Sequence, residues 1–306
     1  MIETDKQLNN QYNEFQENIE NEEESHEMTE EEKQKYEMTR KGAEFTIQQS
    51  KFRLKCIYAM IAIGYIFATV VIIFCFPKMY SIPTTIFWLI VFNIYFYLIT
   101  FNAYMTSTVQ PDVIPSRFYT VDEEKKHLHK YCKICQKYKA NRVHHCKIID
   151  KCVYRYDHYC TLLANTVGYH NHKYFAMFQF CIVIAVWTSF LHLGKANAMF
   201  GKEHLSKWFF VAINLFVLNV TFSVIVVFAV QLICLGFNLT MLEFMEWMQD
   251  MFFNRRFFKP EHCKDSFLSN MKEMLLVPEN RCVLWGFLPL PPSFFEKELE
   301  GGLHQD

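Results

Sequence analysis

Four long stretches of this 306-residue sequence contain no Asp, Glu, Lys or Arg. They cover about residues 56–76, 85–104, 174–193 and 208–235, and each is close to or above the ~20 apolar residues that cross a bilayer core. Charges inside such segments would be costly and would need partners. Their absence predicts four transmembrane helices, and it makes four buried helices of a soluble protein the weaker alternative.

Two other signals are also lacking. The acidic N-terminus has no basic segment followed by an apolar one, so we expect no cleavable signal peptide. No internal repeat is found, and nothing resembles ankyrin periodicity.

Positive charge is distributed unevenly around the four apolar segments. Twelve Lys and Arg lie between the second and third segments, whereas only Lys78 lies between the first and second. The bias of basic residues towards the cytosol predicts that both termini and residues 105–173 are cytosolic. We therefore expect an integral multi-pass protein of an endomembrane (ER or Golgi) or of the plasma membrane.

The sequence is thus predicted to be an α-helical membrane protein with a small cytosolic cysteine-rich domain between helices 2 and 3. Its first part is rich in Glu, Gln and Asn, which is typical of a disordered or loosely helical tail. The expected divisions are an acidic, disordered cytosolic tail (1–50), helices 1 and 2 (51–104), the cytosolic domain (105–173), helices 3 and 4 (174–235) and a cytosolic C-terminal region (236–306).

Five of the eleven cysteines cluster between positions 132 and 160. In a reducing compartment this clustering indicates metal binding or thiol chemistry and argues against a disulfide scaffold. Cys132 and Cys135 have the spacing of a zinc knuckle, and Cys152 can supply a third thiolate for tetrahedral zinc. Either His144 or His145 can complete the set, and the spacing does not choose between them. The alternative is a group of free cytosolic thiols.

Asp157, His158 and Cys160 combine the three side-chain types of an activated thiol. An imidazole can take the proton of the thiol, and a carboxylate can orient the imidazole. Such a short run is weak evidence by itself, because catalytic triads are normally assembled in space. Its position on a zinc-binding segment at a membrane face favours chemistry on a lipid-bearing substrate.

The segment from 131 to 175 resembles the DHHC cysteine-rich domain of protein S-acyltransferases (palmitoyltransferases), in an Asp-His-Tyr-Cys variant. The order of the four apolar segments also resembles that family. The matching positions are Cys132, Cys135, Lys139, Arg142, His144, His145, Cys146, Cys152, Asp157, His158, Cys160, Asn165, Val167, Gly168, Asn171 and Phe175.

The resemblance implies a function for the chain. Cys160 would accept a fatty acyl group, palmitoyl by resemblance to this family, from acyl-CoA and pass it to a cysteine of a substrate protein. His158 would be the base and Asp157 would orient it. Lys139 and Arg142 are predicted to hold the CoA phosphates, with ordinary cytosolic positive charge as the alternative. The expected partners are acyl-CoA, membrane-associated substrate proteins and the bilayer, without nucleic acid.

The resemblance also implies a metal content. Its first zinc site corresponds to Cys132, Cys135, His145 and Cys152, which favours His145 over His144. Its second corresponds to Cys146, Ile149, Tyr159 and Thr166, of which only Cys146 can bind zinc. We therefore expect one zinc ion, with the second site lost.

Other family motifs are partly lost, which leaves a second hypothesis. Thr161-Leu162 stands where the family has Pro-Trp, and residues 240–243 keep half of its Thr-Thr-x-Glu motif. These changes favour a weak or inactive member that acts as a membrane scaffold or partner-binding protein, whereas the retained Asp157, His158 and Cys160 favour an enzyme. A zinc-regulated channel or transporter is a third and weaker interpretation.

Overall fold

The structure is a computed structural model that forms two compact units. The first unit combines the chain up to Gln48 with Asp112–Arg155, and the second combines Gln49–Pro111 with Tyr156–Asp306. Each unit is described separately below. The described residues are 28–111, 130–200, 204–254, 260, 262–278 and 280–288.

Helices make up most of the described residues. The first helix, with 50 residues, is ~75 Å long at 1.5 Å per residue. The helices are α1 (Glu30–Met79), α2 (Ile82–Thr108), α3 (His172–Phe200), α4 (His204–Phe237), α5 (Met241–Phe253) and α6 (Phe267–Met274), followed by a 3-10 turn at Val283–Phe287.

Four of these helices, α1 to α4, are long and apolar enough to cross a membrane. Each contains one of the four uncharged segments predicted from the sequence. Many large apolar side chains on them are exposed, including Phe67, Ile90 and Phe216, as expected for surfaces that face lipid. Length and composition therefore support a multi-pass membrane protein.

The described part of the acidic tail is helical. Residues 1–27 lie outside the described residues, and α1 begins at Glu30, so residues 30–50 belong to this helix. Thr29 and Glu32 exchange side chain to backbone hydrogen bonds at this start, a capping box that favours helix initiation. Three glutamates in the first turn also suit the positive end of the helix dipole.

The cysteine-rich segment forms three antiparallel hairpins. In the first unit, Tyr131–Cys132 (β1) pairs with Lys137–Tyr138 (β2), and Val143–Cys146 (β3) pairs with Lys151–Tyr154 (β4). In the second unit, His158–Cys160 (β5) pairs with Asn165–Val167 (β6).

An apolar cluster in the second unit surrounds the end of β5. Cys160 packs there with Ala103 of α2 and Phe175 of α3, together with Leu163 and Val167 of its own hairpin. The hairpin is thereby fixed to helices that are candidates for crossing the membrane, and its cysteine lies in largely apolar surroundings.

Candidate metal centre and candidate active site

The first two hairpins bring three cysteines and one histidine together. Cys132 and Cys135 lie on the turn of β1 and β2, while His145 and Cys152 are direct cross-strand partners in β3 and β4. One ligand atom from each of these four residues lies within 4.8 Å of all the others. His144 is the cross-strand partner of Val153 and is not a member of this cluster.

The imidazole of His145 has a defined orientation. Its Nδ1 lies 3.3 Å from the sulfur of Cys135 and 4.0 Å from that of Cys152. Nδ1 is therefore the nitrogen that faces the three sulfurs, and Nε2 is directed away from them.

Burial favours the uncharged forms of the residues in this cluster when no metal ion is bound. It raises the pKa of the Cys135 and Cys152 thiols and lowers the pKa of His145. Without a cation, these thiols stay protonated at neutral pH and the imidazole stays neutral. A divalent ion would displace the thiol protons and gain thiolate ligands. A Cys₃His set with this proximity fits tetrahedral zinc in a structural site.

The third hairpin assembles the thiol and its candidate base. Cys160 and His158 are two residues apart on β5 and so share one face of the strand. Asp157 Oδ2 lies 2.7 Å from His158 Nδ1, which leaves Nε2 of the imidazole available to the thiol. The Asp157 backbone N–H donates to Val167 O at 3.0 Å, so the hairpin itself holds the carboxylate.

Burial and hydrogen bonding have opposite effects on the pKa values of His158 and Cys160. Burial lowers the pKa of His158, but hydrogen bonds with Asp157 and Cys160 overcome burial and raise the pKa to about 9. Burial raises the pKa of Cys160, but the hydrogen bond with His158 and the backbone amides of Leu162 and Leu163 bring that pKa below its ordinary value. Both shifts move the pair towards a thiolate beside an imidazolium, and the thiolate is the nucleophilic form of cysteine.

Asp157 is held by the helix that follows α4. The side chain is almost completely buried, and its Oδ1 accepts a hydrogen bond from the backbone N–H of Met241 at the start of α5. Thr240 and Glu243 form a capping box at that helix end. These two residues are the retained half of the family motif, so the sequence contained a signal for this support.

A second buried pair lies near the same carboxylate. His172 Nε2 is 3.8 Å from Asp157 Oδ1 and 3.2 Å from the Gln231 amide nitrogen. Sequence reasoning did not single out Gln231. A polar residue in an apolar helix, as Gln231 is in α4, is the signal that could have identified this pair.

Two asparagines attach the β5–β6 hairpin to α2. The Asn165 amide donates to the carbonyls of Thr106 and Val109 at 2.9 and 2.8 Å. The Asn171 amide donates to Thr166 O at 2.8 Å and, at 3.3 Å, to the same two carbonyls of α2. Its Oδ1 accepts the Gly168 N–H at 2.8 Å. Two carbonyls at the end of α2, those of Thr106 and Val109, are thereby paired.

The remaining predicted positions are divided between the two units. Lys139 and Arg142 belong to the first unit, and their contact with CoA phosphates stays a prediction. In the second unit, Tyr159 and Thr166 are direct cross-strand partners in β5 and β6. They are two of the positions where the family has second-site zinc ligands.

Comparison with known proteins agrees with this arrangement. Residues 125–248 match the family model described as DHHC palmitoyltransferase. Palmitoyltransferase PFA3 of Candida albicans is 34% identical over 125 residues, which are 39% of this chain and 33% of that protein. Palmitoyltransferase PFA4 of Kluyveromyces lactis is 40% identical over 108 residues, which are 35% of this chain and 28% of that protein.

The chain therefore spans about a third of the length of the curated relatives that it matches. The family match includes all three hairpins, α3, α4 and the start of α5. Residues 125–248 of this chain are accordingly similar to the DHHC palmitoyltransferase family.

Proposed function

We propose that this chain is a protein S-acyltransferase that carries a fatty acyl group on Cys160. The observation that supports this best is the buried Asp157, 2.7 Å from His158, beside a cysteine whose pKa is lowered. A structural cysteine in apolar surroundings would have the opposite shift. The names of the two fungal relatives point to the same reaction.

The first step is acylation of the enzyme. The Cys160 thiolate attacks the carbonyl carbon of an acyl-CoA thioester, a new carbon–sulfur bond forms, and the bond to the CoA sulfur breaks. The imidazolium of His158 gives its proton to the departing CoA thiolate. The apolar cluster around Cys160 excludes water, which would otherwise hydrolyse the acyl-enzyme.

The second step transfers the acyl group to a protein. A cysteine thiol of a membrane-associated substrate attacks the thioester on Cys160, and neutral His158 accepts its proton. Cys160 leaves as a thiolate, which restores the initial ion pair. Asp157 stabilises the imidazolium in both steps and keeps its Nδ1 protonated, so that Nε2 performs the transfer.

The metal ion would have a structural and not a catalytic role in this mechanism. Cys132, Cys135, His145 and Cys152 would hold one zinc ion and bind the first two hairpins together. Zinc with four protein ligands has no open position for a substrate. We assign Lys139 and Arg142 to the CoA phosphates on the basis of their charge and their match to the family.

The location of the reaction follows from charge. The basic residues of the segment between α2 and α3 support a cytosolic domain, with both termini on the same side. Acyl-CoA would reach the site from the cytosol, and its chain would lie among the apolar helices. We propose an endomembrane or the plasma membrane as the location.

Labelling tests the proposal directly. Purified protein in detergent is incubated with radiolabelled palmitoyl-CoA, and hydroxylamine-sensitive label is measured. We expect labelling of the parent and none of Cys160→Ser, while Cys282→Ser, which changes an exposed cysteine, should retain it. Intact labelling of Cys160→Ser would refute the proposed role of Cys160.

One observation favours a second function. Ile149, Tyr159 and Thr166 replace three second-site ligands of the family, a loss that a scaffold would tolerate more readily than an enzyme. A scaffold would take no label in this assay and would still bind partner proteins of the membrane. Because Asp157, His158 and Cys160 remain hydrogen-bonded and ionisable, we favour the enzyme.

A further inference from the structure

The outer nitrogen of His145 faces a carboxylate that the sequence did not single out. His145 Nε2 lies 3.6 Å from Asp150 Oδ1. Both atoms are buried, and within the part of the chain that is described neither has a hydrogen-bond partner. A shift of about 0.6 Å would bring them to the ~3.0 Å of an ordinary N–H···O bond. Metal-bound histidines commonly donate their other N–H to a carboxylate, which fixes the tautomer and the ring orientation.

The other oxygen of this carboxylate is held by α1. The Tyr36 hydroxyl donates to Asp150 Oδ2 at 2.6 Å, and Arg40 Nη1 donates to the same oxygen at 3.1 Å. The two donors are four residues apart and so lie one above the other on the helix. Arg40 Nη1 is also 3.3 Å from the Tyr36 oxygen. With Oδ2 fixed by two donors, Oδ1 remains directed at His145.

The backbone around Asp150 connects this network to the ligands. Asp150 has a φ of 56° and ends the turn between β3 and β4, a conformation that Asp tolerates better than most residues. The same hairpin pairs His145 with Cys152. The carboxylate and two of the ligands therefore belong to one short element of fixed register.

We propose that Asp150 is the outer carboxylate of the metal centre and that Tyr36 and Arg40 hold it in place. All three are positioning residues, because they act on the metal through His145. This inference rests on the proposed zinc site. It assigns the polar first part of α1 a task in retaining the metal, although that part lies about a hundred residues before the ligands in the sequence.

Zinc release measures this role without reference to acyl transfer. The full chain is purified in detergent with its metal, and release to an excess of the dye 4-(2-pyridylazo)resorcinol is followed by absorbance. We expect Asp150→Ala to release zinc about 10- to 100-fold faster than the parent. Tyr36→Phe and Arg40→Gln should accelerate release several-fold, since each removes one donor to Oδ2.

Glu32→Gln is the matched control. Glu32 contacts Lys133 Nζ at 3.1 Å, so this variant weakens another contact between α1 and the β1–β2 turn and leaves Asp150 intact. Gln also preserves the capping box at the helix start. We expect release at the parent rate. Release accelerated as much as in Asp150→Ala would overturn the inference, because general docking of α1 would then explain both results.

Cobalt substitution provides a second readout. Cobalt bound by three thiolates and one imidazole absorbs visible light, and its bands depend on ligand geometry. We expect altered bands in Asp150→Ala and parental bands in Glu32→Gln. If Asp150→Ala does not fold, Tyr36→Phe, which removes one hydroxyl, decides the matter by its release rate.

Two failures can be told apart. A parent protein without bound metal would refute the proposed zinc site. If the parent holds one zinc per chain and Asp150→Ala releases it at the parent rate, only the role of Asp150 is overturned. Where Asp150→Ala does not fold, release at the parent rate in Tyr36→Phe has the same meaning. Neither outcome bears on whether Cys160 accepts an acyl group.

Discussion

Replacing Asp157 with Asn tests the ion pair that we propose to activate Cys160. Asn retains an oxygen that can accept the Met241 N–H but removes the negative charge beside His158. The imidazolium then loses its counter-charge, so the pKa of His158 falls. The thiolate of Cys160 loses its stabilising partner, so the pKa of the thiol rises. At neutral pH, less of the protein is in the nucleophilic form.

The size of the effect follows from the His158 pKa. Burial lowers that pKa, yet Asp157 and Cys160 raise it from 6.5 to about 9. A tenfold change in an acid dissociation constant corresponds to about 1.4 kcal/mol. The ion-pair environment thus corresponds to ~3 kcal/mol. Because the imidazole is 32% exposed, solvent screens part of this energy. We expect a loss of about 2 kcal/mol in activation, or ~30-fold in rate at neutral pH.

The assay is the rate of Cys160 acylation by labelled palmitoyl-CoA as a function of pH. In the parent, the rate should fall as pH drops through the lowered pKa of Cys160, because the thiolate is then protonated. In Asp157→Asn this acidic limb should move to higher pH, and the loss should shrink as pH rises. Glu246→Gln, which neutralises an exposed carboxylate of α5, should match the parent at every pH.

One result would refute the ion-pair reasoning. If Asp157→Asn loses the same fraction of activity at every pH, the aspartate does not act through the ionisation of Cys160. A purely structural role would then explain the loss, because misfolding does not recover at alkaline pH.

Three further outcomes are expected. Asn171→Ala should lower the free energy of unfolding by roughly 3 kcal/mol, because it removes buried hydrogen bonds. Thermal melting in detergent would measure this loss. Asn254→Ala, which changes an exposed residue, is the control. Chelation of the metal should lower the melting temperature, since zinc binding contributes to folding, and an unchanged temperature would contradict a structural site. Tyr159→His should leave the zinc content at one per chain by elemental analysis, because Ile149 and Thr166 still supply no ligand; a content of two would contradict the assignment.

The features predictable from sequence were those with a local signal. Uncharged runs of about 20 residues predicted all four candidate spans, since bilayer thickness fixes their length. The Cys-x₂-Cys spacing indicated a knuckle, and the later Cys152 with His144 or His145 indicated the remaining ligands. The β3–β4 register explains why these two residues meet, although spacing alone left His144 open.

The features that the sequence did not reveal depend on distant contacts. Asp150 is an ordinary turn residue in the sequence, and its partners Tyr36 and Arg40 precede it by more than a hundred positions. The backbone N–H of Met241 has no side-chain signature at all. The composition around Glu30 is polar and charged, so it left a disordered and a loosely helical tail as alternatives.

The third hairpin is stabilised by contacts that need no metal ion. The first two hairpins bring together the four residues that we propose as zinc ligands. In the third, Tyr159 and Thr166 are cross-strand partners, and Asn165 and Asn171 bond the hairpin to the end of α2. Apolar packing against α2 and α3 adds to these bonds. Cys160 therefore lies on a hairpin that is held by helices, and the proposed absence of a second zinc need not displace this proposed nucleophile.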